Sequence, residues 1–248
     1  MVLALLFTAH ITVRYTMEYV QGIIELAKQG VILKSEILTC IFDVIWFSYT
    51  EIFWFFKFII IPLIVTFSLT VLLDKGIINS YLIHPITRKK FLLLKIIEDL
   101  IFLYIIVILS FLTSNIVLII MFNINNYPQL GLMHYFRLFV DMHIVFIYLL
   151  PYYLMGVLIA VIMEESISSF TTYFIITLSE SMLIPNILTS GRSISFLTIL
   201  IALNHHEHLG LHPWRTIYEA LTYSVILFIV GVSSLLLSLL ILSKKDLT

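Results

Sequence analysis

Three ionisable residues stand inside long apolar stretches of the sequence: Lys57, Asp141 and Glu180. A charged side chain within a membrane span is costly and usually marks an ion or substrate path, or pairs with another charge. Arg137 lies four residues before Asp141, on the same helix face, so these two can simply pair. Lys57 and Glu180 have no such neighbour; they can meet each other, meet a second subunit or face a water-filled path. The three residues form the candidate translocation path.

A second group that could do chemistry is a histidine cluster in the polar sequence NHHEHLGLHPWR: His205, His206, His208 and His212. Imidazole groups bind zinc and copper. The spacing of these four matches no established ligand pattern, and histidines in a solvated loop need no metal to explain them. We expect no metal at this cluster and no cofactor in this chain.

Two further pairs invite a catalytic or haem interpretation. Glu164 and Glu165 resemble the paired glutamates of an intramembrane metalloprotease family with the motif Glu-Glu-x-x-x-Arg, but Ser169 stands where the Arg belongs. The glutamates are also predicted at a cytoplasmic turn, whereas a metal-activated water would need them inside the membrane. His84 and His143 are predicted at different depths, so we do not expect them to hold a haem. The protease is kept as a remote alternative.

The composition identifies the kind of protein that must position these residues. Of 248 residues, 61% are hydrophobic and only 12% are charged, too little polar surface to cover a soluble globule. The formal net charge of −1 gives no basic excess for nucleic acid. The single Cys40 rules out an intrachain disulfide. No Lys or Arg precedes the apolar residues at the start, so we expect no cleavable signal peptide and a start that belongs to the mature protein.

The apolar runs are continuous rather than alternating, which favours helices over the strands of a membrane barrel. A hydrocarbon core of about 30 Å takes roughly 20 helical residues. The sequence therefore predicts an all-α integral membrane protein with one transmembrane domain, 1–248, and six spans at about 1–24, 52–73, 91–122, 140–163, 170–187 and 220–242.

Charged residues in two of these spans affect where the spans are expected to lie relative to the membrane. The first is interrupted by His10, Arg14 and Glu18, and it can also lie at the membrane interface. The third is longer than a bilayer needs, so its first turns should project from the membrane. Lys95 in those turns can pair with Glu98 and Asp99.

The connections between spans differ in character. The loop 74–90 is short, polar and basic at its end. Residues 188–218 contain an apolar run, 194–203, that is only about half a membrane thick, which favours a re-entrant segment between spans five and six. Lys and Arg cluster in the loop 74–90 and again at the tail, at Lys244 and Lys245. The positive-inside rule then places both clusters, and both termini, in the cytoplasm of a cell-membrane protein.

The order of residues in this loop resembles the first cytoplasmic loop of ABC-2-type permeases, the membrane subunits of one class of ATP-driven exporters. In that family an acidic residue and a Gly close the second span, Pro-x-x-Arg follows, and a Lys lies in the next helix. Asp74, Gly76, Pro85 to Arg88 and Lys95 match this order. The basic pair and Asp246 after the last span also resemble the family. The chain differs in lacking an amphipathic elbow helix before its first span.

The resemblance implies a six-span permease subunit that pairs with a second copy or a paralogue in the lipid membrane. It also implies a cytoplasmic coupling helix between spans two and three that docks on a separate ATPase, to which ATP and Mg would bind. The coupling residues it implies are Asp74, Gly76, His84, Pro85, Ile86, Thr87, Arg88, Lys89 and Lys90. Few fixed charges in the spans favour export of a hydrophobic or amphiphilic substrate.

The eight glycines form no G-x-x-x-x-G-K-[ST] motif, so a P-loop ATPase would have to be another chain. We therefore expect a transport subunit and not an enzyme. Two alternatives stay open. The basic cluster can serve only to fix topology. The chain can also be an ion- or proton-coupled secondary transporter, with the candidate translocation path as its coupling groups.

Overall fold

The described part of the chain consists of helices and short turns between them. The computed structural model describes residues 1–31, 37, 41, 51–70, 87–125, 131–188 and 213–245, and every regular element among them is a helix. This confirms the all-α class that the continuous apolar runs predicted.

The N-terminal helix is continuous but changes its hydrogen-bond register once. Helix α1, Val2–Tyr15, passes through a π-helical turn, Thr16–Val20, into α2, Gln21–Lys28, with right-handed helical backbone angles at each junction. Gly30, at φ 76°, ends it. Its N–H and that of Val31 bond back to the carbonyls of Ala27 and Leu26, as at many glycine-terminated helices.

Helices α3 and α4 follow. Helix α3, Glu51–Thr70, contains two π-helical turns, Phe56–Ile60 and Thr66–Thr70. Helix α4, Arg88–Ile124, has 37 residues, which is about 55 Å at 1.5 Å per residue and exceeds a hydrocarbon core of about 30 Å. At least one end of α4 must therefore lie outside the core.

Three more helices complete the described structure. Helix α5, Leu132–Met163, carries Pro151 in its interior, and helix α6, Ser166–Leu188, follows after a tight turn. In that turn Glu164 has φ 57°, in the left-handed region. Helix α7, Pro213–Lys245, begins before residue 220, the predicted start of the last span.

Among the described residues, four helices are long and apolar enough to cross a membrane: Glu51–Thr70, Arg88–Ile124, Val145–Met163 and Val225–Lys244. They coincide with predicted spans two, three, four and six, and they support a membrane-embedded, multi-pass protein. The first and fifth predicted spans also lie in helices, α1 with α2 and α6, but are not among these four. The number six therefore stays a prediction.

The chain divides into two compact units. The first unit comprises residues 1–56 and 104–147, and the second comprises 57–103 and 148–248. Helices α3, α4 and α5 each contribute one part to each unit. The single transmembrane domain, 1–248, stays a prediction.

In the first unit, α1 packs through a stripe of small residues spaced four apart. Ala4, Thr8, Thr12 and Thr16 are all buried, whereas Leu3 is exposed. The Thr12 and Ser114 hydroxyls lie 2.9 Å apart and join α1 to α4. Small residues at helix contacts are typical of membrane bundles, because they let backbones approach closely.

In the second unit, glycines make the closest helix contacts. A Cβ at Gly156 on α5 would lie 3.1 Å from Val65 Cγ2 on α3 and 3.3 Å from Tyr173 Cε2 on α6. A Cβ at Gly231 on α7 would lie 2.8 Å from the Cα of Pro151 on α5. Gly231 has room only for hydrogen, whereas a Cβ at Gly156 would require its neighbours to shift by a few tenths of an ångström. Both glycines therefore let the helices pack closely.

Candidate functional site

Among the described residues of the second unit, polar side chains gather around the buried Asp99 carboxylate on α4. Ser68 Oγ on α3 lies 2.6 Å from both carboxylate oxygens. Tyr153 Oη on α5 donates to Oδ2 at 2.9 Å. Lys95 Nζ, one turn earlier on α4, lies 3.6 Å from Oδ1. We call Asp99, Ser68, Tyr153 and Lys95 the Asp99 cluster.

Asp99 reaches this position because it lies on the buried face of α4. Leu92, Ile96 and Leu103 are buried on the same face, at spacings of three and four residues, and Asp99 is 4% exposed among them. The neighbouring Glu98 falls on the other side, with a side chain 69% exposed. One residue of helix rotation, about 100°, separates a buried carboxylate from a solvated one.

Lys95 is the charged neighbour of Asp99 within the cluster. Lys95 also pairs with Glu98 at 2.9 Å, and its own side chain is 18% exposed, so it links the buried carboxylate to the exposed face of the helix. Hydrogen bonds to a charged group are shorter and stronger than neutral ones. The arrangement can therefore hold a negative charge inside the helix bundle. It also joins three helices, α3, α4 and α5, through the Asp99 carboxylate.

Lys57, the first residue of the candidate translocation path, is also buried in the second unit. It is 1% exposed, and its Nζ lies 4.3 Å from the Tyr152 ring centroid and 5.3 Å from that of Phe58. A cation over a desolvated aromatic ring gains about 2 kcal/mol. Tyr152 and Tyr153 are adjacent on α5, so one short segment of that helix contacts both Lys57 and Asp99.

The backbone of Lys57 is tied as well. It lies in the π-helical turn Phe56–Ile60, where a carbonyl accepts from the N–H five residues later. The fifth residue after Lys57 is Pro62, which has no N–H. Tyr173 Oη on α6 donates instead to the Lys57 carbonyl at 3.1 Å. The π turn thus has an identifiable partner on a neighbouring helix, and π turns are frequent at functional sites.

The other two residues of the candidate path cannot be compared with Lys57. Asp141 lies in α5 and Glu180 in α6, but their side chains are outside the described part of the structure. The histidine cluster, His205 to His212, lies outside the described residues too. Within the described residues, no group of three or more His, Cys, Asp and Glu side chains comes together as a metal site.

The predicted coupling segment is described only from Thr87 onward; residues 74–86, with Asp74, Gly76 and Pro85, lie outside the described ranges. Thr87 Oγ1 accepts a hydrogen bond from the Lys90 N–H at 3.4 Å, at the start of α4. Lys89 and Lys90 are exposed and Arg88 is half-buried. The start of α4 therefore presents exposed positive charge to its surroundings.

The residues behind the weaker hypotheses have ordinary surroundings. Glu164 and Glu165 are exposed in the turn between α5 and α6, and Glu165 accepts a 2.6 Å hydrogen bond from Ser168. In the first unit, His143 Nε2 lies 3.0 Å from the Tyr104 hydroxyl and its Nδ1 lies 2.8 Å from the Phe139 carbonyl. These contacts give neither the protease nor the haem interpretation any support.

The sequence predicted part of the Asp99 cluster. The pairing of Lys95 with Glu98 and Asp99 is confirmed, but the contacts of Asp99 with Ser68 and Tyr153 were not foreseen. In a soluble helix the apolar stripe would have shown that Asp99 faces inward. Here residues on both faces of α4 are apolar, so only the three- and four-residue spacing from Leu92 and Ile96 carried a signal.

Comparison of the chain with protein-family models, with curated proteins and with solved structures finds no match in any of the three. Three features of the chain bear on its function: the exposed basic start of α4, the Asp99 cluster and the buried Lys57.

Proposed function

We propose that this chain is the membrane permease subunit of an ATP-binding-cassette transporter, which exports a hydrophobic or amphiphilic substrate using ATP hydrolysis by a separate ATPase subunit. Two such permeases, identical or paralogous, would work together in the cell membrane with both termini in the cytoplasm. The chain would provide the path and perform no bond chemistry.

The observation that carries the proposal is the start of α4. Lys89 and Lys90 are exposed there, on a 37-residue helix that is about 25 Å longer than a 30 Å hydrocarbon core. An exposed, charged helix end beyond the core is accessible to a soluble partner. The sequence from Pro85 to Arg88, which leads into α4, resembles the coupling loop of ABC-2-type permeases.

A pull-down from mild detergent tests this proposal. The tagged chain is purified in three forms: wild type, Lys89→Gln with Lys90→Gln, and the control Lys244→Gln with Lys245→Gln, which removes the same charge at the tail. We expect a stoichiometric P-loop ATPase with the wild type and the tail control, and its loss from the α4 variant. Protease accessibility of the tag checks that all three insert with the same topology.

A preparation without any ATPase, reproduced by crosslinking in native membranes, would overturn the permease proposal. An ATPase retained equally by all three forms would refute docking at the start of α4.

The second candidate function is an ion- or proton-coupled secondary transporter. Two buried ionisable residues in the second unit favour it: Lys57 at 1% and Asp99 at 4% exposure. Buried charges of this kind often bind the coupling ion. If no ATPase is found, purified chain in liposomes should acidify or alkalinise the lumen when an ion gradient is applied, and Lys57→Met should abolish that response.

A further inference from the structure

The exposed basic start of α4 and the buried Asp99 belong to the same uninterrupted helix, Arg88–Ile124. Asp99 lies eleven residues after Arg88, or about 16 Å along the helix axis. The backbone hydrogen bonds of an α-helix are made within the helix itself, so the segment can move as a rod. A displacement of the basic end therefore reaches Asp99 with little loss.

Asp99 is a point in this segment where hydrogen bonds tie α4 to two other helices. Its carboxylate accepts from Ser68 on α3 at 2.6 Å and from Tyr153 on α5 at 2.9 Å. Asp99 and Tyr153 are buried and Ser68 is half-buried, so little water can replace a lost bond and separating the hydroxyls from the carboxylate is costly. A shift of α4 must then either pull α3 and α5 along or break both ties.

The ion pair between Glu98 and Lys95 does not join α4 to another helix. Glu98 pairs with Lys95 at 2.9 Å, but both residues lie on α4, so their bond moves with the helix. Lys95 also contacts Asp99 at 3.6 Å, and this contact too lies within α4. Within the cluster only Ser68, Asp99 and Tyr153 connect different helices.

We propose that the Asp99 cluster is the joint through which movement of the basic end of α4 is transmitted to α3 and α5. Asp99 is a positioning residue in this role and contacts no substrate. The inference rests on the proposed function, because the docked ATPase supplies the movement.

The structure offers a reporter for this movement at the end of α3. Thr70 lies two residues after Ser68, and its hydroxyl is 2.8 Å from that of Ser166 on α6. Cysteines at these two positions are near enough for a disulfide or a very short thiol crosslinker. Cys40→Ser removes the one native thiol, so the crosslinking yield between α3 and α6 reports only this contact.

The experiment uses the complex of this cysteine pair with the ATPase that the pull-down recovers. Crosslinking is measured with ADP and with a non-hydrolysable ATP analogue, in the parent and in Asp99→Asn. Ser68→Ala and Tyr153→Phe each remove one tie and leave little empty space, in case Asp99→Asn folds poorly. Glu98→Gln is the matched control, because it neutralises the adjacent carboxylate, which makes no bond to another helix among the described residues.

We expect the crosslinking yield to change several-fold between the two nucleotides in the parent and in Glu98→Gln. The change should vanish in Asp99→Asn and shrink in Ser68→Ala and Tyr153→Phe, while all variants still bind the ATPase. If the ATPase binds but the nucleotide effect is absent in the parent, or persists undiminished in Asp99→Asn and in both hydroxyl variants, the joint is refuted and the permease proposal stands. If no ATPase is recovered, the permease proposal fails and the joint fails with it.

Discussion

Buried polar groups find their hydrogen-bond partners differently in two regions of this membrane protein. In the first unit, the threonines of α1 satisfy their hydroxyls within their own helix: Thr8 donates to the Ala4 carbonyl and Thr12 to the Thr8 carbonyl, both at 2.8 Å. In the second unit, the Asp99 carboxylate is satisfied by Ser68 and Tyr153 from two other helices.

The difference indicates which region serves helix packing and which is a candidate for function. A threonine that bonds to the carbonyl four residues back adds a small, neutral surface for helix contact and depends on no neighbour. A buried carboxylate depends on every partner around it, and its burial costs several kcal/mol if one is lost. A charge retained at such a cost is a functional candidate by default, whereas the threonine stripe is explained by packing alone.

The largest expected effect comes from deleting the charge in the second unit. Asp99→Ala leaves Lys95 without its buried partner and the Ser68 and Tyr153 hydroxyls without an acceptor. We expect a loss of about 3 kcal/mol in the free energy of unfolding, the lower end for breaking a buried ion pair, because Lys95 keeps Glu98 as a partner. Unfolding in mixed micelles titrated with SDS measures it.

Glu98→Gln is the control for this change, since it removes a carboxylate of the same helix whose side chain is 69% exposed. It should cost less than about 1 kcal/mol, as exposed ion pairs do. Equal losses in the two variants would mean that Asp99 is no more embedded than its neighbour, and the contrast between the two regions would disappear.

The next largest effect compares two glycines. A Cβ at Gly231 would lie 2.8 Å from the Pro151 Cα, whereas one at Gly22 in α2 would have no atom of a described residue within 4 Å. Gly231→Ala should therefore destabilise the protein by about 2 kcal/mol through overpacking. Gly22→Ala should stabilise it by about 0.5 to 1 kcal/mol, because alanine loses less backbone entropy in a helix.

The same unfolding titration, run on both glycine variants, tests the tight contact between α5 and α7. If Gly231→Ala lowered the free energy of unfolding no more than Gly22→Ala does, α5 and α7 would not approach as closely as the structure shows.

The helices could be predicted from the sequence because the bilayer fixes their length. Predicted spans two, three, four and six coincide with helices long and apolar enough to cross, and Lys95 was correctly paired with Asp99 by its four-residue spacing. Both predictions depend only on residues close together along the chain.

The inter-helix part of the candidate site could not be predicted in this way. Ser68 and Tyr153 lie 31 and 54 residues from Asp99 along the chain, and in a membrane helix the lipid-facing and buried residues are both apolar. Hydrophobic periodicity shows which face of a soluble helix is buried, but in a membrane helix it hardly distinguishes the buried face from the lipid-facing one. Likewise, the sequence marked Lys57 as costly but could not select the Tyr152 ring as its neighbour.

A smaller effect, of opposite sign, is expected in the first unit at Ser110. Its hydroxyl is buried and has no hydrogen-bond partner among the described residues, and it lines a cavity of about 20 Å³ with Ile52, Phe56, Val107, Phe111, Met142 and Val145. A water molecule fits such a space but needs two to four polar partners.

Ser110→Ala should therefore stabilise the protein by about 1 kcal/mol, because an unsatisfied buried hydroxyl is removed. Ser114→Ala is the control on the same helix, one turn later; its hydroxyl is 2.9 Å from that of Thr12, so its loss should destabilise. A destabilising Ser110→Ala would show that the Ser110 hydroxyl has a partner after all.

The smallest effect tests the threonine stripe itself. Thr12→Val keeps the side-chain volume but loses both the bond to the Thr8 carbonyl and the link to Ser114, whereas Thr8→Val loses only the bond to its own helix. Hydrogen bonds between membrane helices average about 0.6 kcal/mol, so Thr12→Val should cost about that much and Thr8→Val close to nothing. A double-mutant cycle with Ser114→Ala isolates the inter-helix term. A coupling energy as large as the loss from Asp99→Ala would contradict the distinction between the two regions, because a neutral hydroxyl pair would then hold the helices together as firmly as the buried charge.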